Sequence, residues 1–166
     1  DSNCGYTIDS IKGVLNLPGM TQACLDHLLK HSSEQFFMMV EGGNIDYAAH
    51  SNDGGAVVKE ILNFNQAIKI AYDFYLEHPD ETLIVVTADH NTGGLAVRFG
   101  DISLVDCQRM SKDEFGSYTK AILNLGFCLC NGIGTSVDAN QGVECYKRAA
   151  EQGNEIALYN LGMCYK

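Results

Sequence analysis

FFMMVEGGNIDYAAH, residues 36–50, runs from a wholly apolar stretch straight into three side chains able to hold a metal ion, Glu41, Asp46 and His50. A second run of the same kind, LIVVT at residues 83–87, ends in Ala88-Asp89-His90. How these two runs are read decides the fold. Gln35–Val40 and Thr82–Thr87 are short and apolar, the second rich in Val and Ile, as in strands buried on both faces. Between them, Ser51–Gly55 supplies capping residues. Residues 53–77 then carry an apolar stripe, Val57, Ile61, Phe64, Ile68, Ala71 and Tyr75, in steps of four and three. The pattern predicts strand, crossover helix, strand: an α/β unit with a right-handed connection and both strands parallel in one sheet. Upstream, Thr21 is expected to cap a helix reaching His31, with Leu25, Leu28 and Leu29 on its buried face.

In such a sheet both acid–histidine clusters emerge beyond the carboxyl ends of strands, on the edge where open α/β sheets place their sites. Asp46 and His50 are four apart and share one face of a helical turn. A carboxylate oxygen beside an imidazole nitrogen is zinc chemistry. Asp89 and His90 are adjacent, and a turn at a strand end can aim both inward. Glu41 offers a hard oxygen suited to magnesium. Paired ions about 4 Å apart assist displacement at phosphorus, one holding the nucleophile and the other the leaving oxygen. The plainer alternatives are Asp46 as a helix cap, His50 as a solvated surface residue and Asp89-His90 as the start of a loop. His27, His31 and His78 have no such company. Asn91-Thr92-Gly93-Gly94 predicts a tight turn whose backbone could shape the site.

Composition narrows the function classes. A chain of 166 residues can bury one real core or two small ones. A net charge of −10 with no basic run argues against nucleic acid, whose phosphates need clustered Lys and Arg. No apolar run reaches the roughly eighteen residues of a membrane span, and no secretory leader is legible. The seven Cys are odd in number and form no paired CxxC units, so no disulfide framework is expected. Cys128 and Cys130 fall in a helical pattern as small core fillers.

From about Ser111 the pattern is helical and repetitive. Ala121-Ile-Leu-Asn-Leu-Gly-Phe-Cys recurs thirty-six residues later as Ala157-Leu-Tyr-Asn-Leu-Gly-Met-Cys, with five of eight positions identical. A period of this size marks helical-hairpin repeats. The hairpin is expected to turn across Gly132–Asn140, with Gly153 stopping the following helix. Leu125, Leu129, Tyr146 and Ala149 are expected to pack together, and Leu161 and Tyr165 to start a second layer.

FFMMVEGGNIDYAAHSND, VVKEILNFNQAIKIAYDFY and LIVVTADHNTGGL together closely resemble bacterial alkaline phosphatase, over about residues 6–120. LPGMTQACLDHL and MSKDEFGSY fit the same family. The resemblance implies a metal-dependent phosphomonoesterase in which a serine attacks the phosphate monoester and water hydrolyses the phosphoenzyme. Two zinc ions and one magnesium assist. On that basis Asp46 and His50 would hold the first zinc, Asp89 and His90 would help hold the second, and Glu41 would bind magnesium. It also implies a periplasmic or other extracytoplasmic setting. Residues 121–166 resemble a Sel-like repeat, a relative of the tetratricopeptide repeat, which builds scaffolds for protein partners.

The chain departs from the phosphatase pattern in ways that bear on activity. The family's nucleophilic serine stands in an Asp-Ser motif followed by small residues, whereas Asp1-Ser2 is followed by Asn3-Cys4. Ser2 does not match that serine. The N-terminal metal-bridging aspartate, the phosphate-gripping arginine and the late zinc histidine have no counterpart either. The expected organisation is therefore an incomplete α/β, parallel-sheet segment over 1–120 and an incomplete all-α helical repeat over 121–166. The expected function is phosphate monoester hydrolysis, with the isolated chain inactive for want of a nucleophile. The alternative is a non-catalytic module that binds a protein partner through the repeat.

Overall fold

The computed structural model describes residues 5–9, 13, 15–32, 35–94 and 108–165. The chain divides into two compact units, residues 1–111 and 112–166.

In the first unit a 3-10 turn, Thr7–Asp9, precedes α1 (Leu17–His31), α2 (Gly43–His50) and α3 (Gly54–Glu77). Helix α1 starts four residues before the expected Thr21. Asn16 caps it by accepting from the Gly19 N–H at 3.0 Å, and Pro18 sits in its first turn. Thr21 is instead buried inside the helix, its hydroxyl donating back to the Leu17 carbonyl. Helix α3 begins where the sequence predicts, because Asp53 accepts from the Ala56 N–H at 3.1 Å. Its buried face is turned slightly from the expected stripe. Val57, Glu60, Asn63 and Ala67 point inward, while Ile61 is exposed. The buried polar groups are paired: Glu60 accepts from the Thr7 N–H, and Asn63 donates to the Thr7 hydroxyl at 2.9 Å. The core joins Ile8, Ala48, Ala49, Ala56 and Val57. Alanine at three of these positions lets helix backbones approach closely, and burying Val57 contributes about 1.5–2 kcal/mol.

The α/β expectation is overturned. Among the described residues there is no strand and no sheet; the regular structure is helical. Residues 35–40 and 82–87 carry no regular secondary structure and form no ladder. Phe36, Met38, Val40, Thr82 and Ile84 are half-buried, and the Phe36 ring lies 6.1 Å from that of Phe74 on α3. The alternate residues are bare, with Phe37 88% and Leu83 87% exposed. The reason is physical. Strand composition stabilises a strand only when a neighbour about 4.8 Å away takes its backbone N–H and C=O groups. No described segment provides that neighbour, and two strands alone are marginal.

The second unit holds α4 (Lys112–Asn131), α5 (Ala139–Glu151) and α6 (Glu155–Cys164). Asp138 caps α5 through the Gln141 N–H and Asn154 caps α6 through the Ala157 N–H, each at 3.0 Å. Gly153, at φ +82, ends α5 and turns the chain between them. Ile122, Leu123, Cys145, Tyr146, Ala149 and Ala157 form the core, flanked by Leu129 and Leu161. Leu125, expected inside, is 52% exposed, and Tyr165 is exposed as well. Gly126 and Gly142 face each other where α4 packs on α5. A Cβ on Gly126 would stand 3.0 Å from the Gly142 carbonyl oxygen.

Candidate functional site

Asp46 and His50 stand one turn apart on α2. The carboxylate lies in the first turn and the imidazole in the last. Each therefore sits at the end of the helix dipole that favours its charge. Asp46 Oδ2 is 3.5 Å from His50 Nε2. Residues 88–94 approach from the other side. His90 Nε2 lies 3.5 Å from Asp89 Oδ2 and 4.0 Å from Asp46 Oδ1. Asp46 thus stands between two imidazoles that are forty residues apart in the chain.

Two residues of the 91–94 turn hold this arrangement. Thr92 Oγ1 donates to Asp46 Oδ1 at 2.5 Å and lies 3.0 Å from His90 Nδ1. The hydroxyl has one proton, and it goes to the carboxylate, so Oγ1 accepts from an Nδ1–H. That assignment, made from the hydrogen-bond pattern, leaves His90 Nε2 turned toward the carboxylates. Gly93 takes φ +66, and a Cβ there would fall 2.5 Å from the Ala49 carbonyl oxygen. Only glycine lets the turn lie against the end of α2 in this way.

The site faces solvent: the Asp46, His90, His50 and Asp89 side chains are 41%, 55%, 65% and 90% exposed. Exposed pairs of this kind each contribute at most about 1 kcal/mol, so stability is not their main consequence. Glu41 stands apart. It is exposed in the loop before α2, its carboxylate close to Gly43. Among the described residues no group of three or more His, Cys, Asp or Glu is arranged to hold a metal ion. The donors fit zinc chemistry two at a time and do not make a closed site. Ser2 lies outside the described residues.

Sequence reasoning named Asp46, His50, Asp89 and His90 but expected a sheet edge to gather them. The end of α2 and a glycine turn do so instead. It singled out no role for Thr92, although a hydroxyl two residues beyond His90 in a predicted turn was the available signal.

The profile of the alkaline phosphatase family matches residues 1–157, and that of the Sel1 repeat matches residues 156–166. Alkaline phosphatase 3 of Bacillus subtilis is 42% identical over 97 residues, which is 58% of this chain and 21% of that protein. The repressible alkaline phosphatase of Saccharomyces cerevisiae is 38% identical over 101 residues, 57% of this chain and 18% of its own length. Streptomycin-6-phosphate phosphatase of Streptomyces griseus is 38% identical over 84 residues, 47% of this chain and 18% of that protein. The chain thus spans about a fifth of the length of these relatives. No solved structure matches it.

Proposed function

The chain belongs to the alkaline phosphatase family, and from that premise we propose that it carries part of the metal-holding apparatus of a phosphate monoester hydrolase. In this reading Asp46 and His50 serve one zinc, Asp89 and His90 a second, and Glu41 a magnesium. The observation that carries it is the nitrogen–oxygen spacing within each of the two zinc pairs, 3.5 Å in both. Hydrogen bonds to oxygen are shorter, about 2.7–3.2 Å. Two ligands each about 2.05 Å from a tetrahedral zinc stand about 3.3 Å apart.

Bound zinc would supply Lewis-acid stabilisation of charge on a phosphoryl oxygen. The chain's own part is to hold the donors: α2 spaces Asp46 from His50, Thr92 fixes the Asp46 carboxylate and the His90 tautomer, and Gly93 seats the turn. The hydroxyl in contact with both clusters, Thr92, has its proton committed to Asp46. The expectation of inactivity rests instead on the family's serine motif, which Asp1-Ser2-Asn3-Cys4 does not match, and the isolated chain is expected to hydrolyse a phosphate monoester no faster than free zinc. Zinc titrated by calorimetry, with cobalt absorption as a second signal, tests the donor set. Binding weaker than at a closed four-ligand site, and lost in Asp46→Asn and His90→Ala, is expected. Equal binding by those variants would end this reading. Turnover of p-nitrophenyl phosphate that disappears in Asp89→Ala would overturn the inactivity.

A second reading is a protein-binding role for residues 112–166. An open cleft of about 490 Å³ between α4 and α6 is lined by Lys120, Leu123, Asn124, Phe127, Ile156 and Asn160. Asn124 and Asn160 are the repeat-equivalent positions, and an Asn amide matches one peptide group donor for acceptor. Peptide-array binding that survives the Asn124→Ala/Asn160→Ala double substitution would dismiss this cleft as the docking site. By family, the setting proposed is outside the cytoplasm. Among the described residues no helix is long and apolar enough to cross a membrane.

A further inference from the structure

We propose that Cys130 and Cys164 are a redox modification site, at which a small-molecule disulfide of the glutathione type cross-links the last turn of α4 to the end of α6. Both are free thiols in the structure. They lie thirty-four residues apart in the chain, yet their side chains are in hydrogen-bond contact. The Tyr146 hydroxyl of α5 contacts the Cys130 sulfur as well, and the Asn160 side chain of α6 contacts that hydroxyl. Three helices of the second unit therefore converge on the pair. The Cys130 sulfur is also held from behind. It fills the space over Gly142, where a Cβ would collide with it, and it packs against the core that holds Tyr146. Cys164 is exposed, so one partner is fixed and the other is open to an oxidant.

The other described thiols are worse placed. Cys145 is buried on α5, away from a dissolved oxidant. Cys128 is two residues from Cys130 on α4, which turns it about 200° around the helix. Cys24 belongs to the other unit. The chemistry is thiol–disulfide exchange. The Cys164 thiolate attacks one sulfur of the small disulfide, whose S–S bond breaks, and one small thiolate leaves with the electron pair and takes up a proton. The Cys130 thiolate then attacks the Cys164 sulfur of the mixed disulfide, and the second small thiolate leaves in the same way. The two protein thiols lose two electrons and two protons, and the small disulfide gains both. Burial pushes the Cys130 thiol up, and the Tyr146 hydroxyl opposes that by hydrogen-bonding the sulfur. Tyr146 thus assists Cys130 in the second attack. The cross-link joins the two helices that wall the cleft described above, but the inference does not depend on a protein partner occupying that cleft.

Oxidised glutathione tests it on the intact chain, with EDTA present so that metal plays no part. After remaining thiols are alkylated, peptide mass spectrometry reads which cysteines are joined. The expected result is a Cys130–Cys164 cross-link within one chain, exceeding every other pair about tenfold or more. The unfolding midpoint should rise with it and return on adding dithiothreitol. Cys164→Ser, at an exposed position, should abolish the cross-link while helix content by circular dichroism stays unchanged. Cys130→Ser should leave Cys164 carrying glutathione alone. A main product joining Cys130 to Cys145 would overturn the inference. So would a dimer joined through Cys164, or an unsubstituted chain in which Cys164 stops at the glutathione adduct.

Discussion

Thr92 Oγ1 lies 2.5 Å from Asp46 Oδ1 and ties the turn after His90 to the first turn of α2. The same oxygen is 3.0 Å from His90 Nδ1. One hydroxyl thus orients a carboxylate and an imidazole that belong to the two clusters. Groups that position metal donors in this way affect affinity about 10- to 100-fold. Thr92→Val keeps the shape and removes the hydroxyl. Zinc affinity by calorimetry is expected to fall about tenfold or more, with the unfolding midpoint little changed. Thr92→Ser should restore it.

Gly93 is expected to be the more costly position. Its left-handed φ of +66 disfavours any L side chain, and a Cβ would meet the Ala49 carbonyl at 2.5 Å. Gly93→Ala should destabilise the first unit by about 1–3 kcal/mol. It should also separate His90 from Asp46. Denaturant unfolding and zinc titration read the two effects separately, and an Ala variant that keeps both would show that the turn has another way to seat.

In the second unit the close crossing of α4 on α5 rests on Gly126 and Gly142. A Cβ on Gly142 would stand 3.0 Å from the Gly126 carbonyl oxygen and would clash with Cys130 Sγ. Gly142→Ala is expected to cost about 1–3 kcal/mol by overpacking. Pairing it with Cys130→Ala should recover part of that loss, because the sulfur is the nearest obstructing atom. Denaturation midpoints of the single and double variants decide the point.

Alkaline pH should loosen the same unit. Burial, first, and then the neighbouring Cys130 and Cys164 thiols push the Tyr146 hydroxyl above its ordinary 10.0. Burial and then Cys164 raise the Cys130 thiol above 9.0. Both groups are neutral when protonated, and the folded state holds those protons more tightly than the unfolded one. The stability tied to them is fully present below the ordinary values and is lost as pH rises through the raised ones. Unfolding midpoints followed by near-ultraviolet circular dichroism should therefore stay flat to about pH 8.5 and fall above it. Tyr146→Phe should flatten part of that decline; an unchanged slope would assign it elsewhere.

Much of this protein is determined locally. Asp53, Asp138 and Asn154 cap helices because a short polar side chain reaches an N–H two or three residues on, whatever surrounds it. Gly126 of the repeated octet permits the close crossing with Gly142, because small residues allow an approach that larger ones forbid, whereas its repeat equivalent Gly162 meets no neighbour. The metal-type donors were also legible, since Asp46 and His50 share a helix face by spacing alone. Tertiary structure decided the rest. Phe36–Val40 and Thr82–Thr87 have the composition of buried strands, but a strand exists only with a partner for its backbone, and the described residues supply none. The meeting of Asp46 with His90 depends on one glycine turn resting on α2 and on one threonine hydroxyl between them. Those contacts join positions more than forty residues apart, and local pattern carries no record of so distant a neighbour.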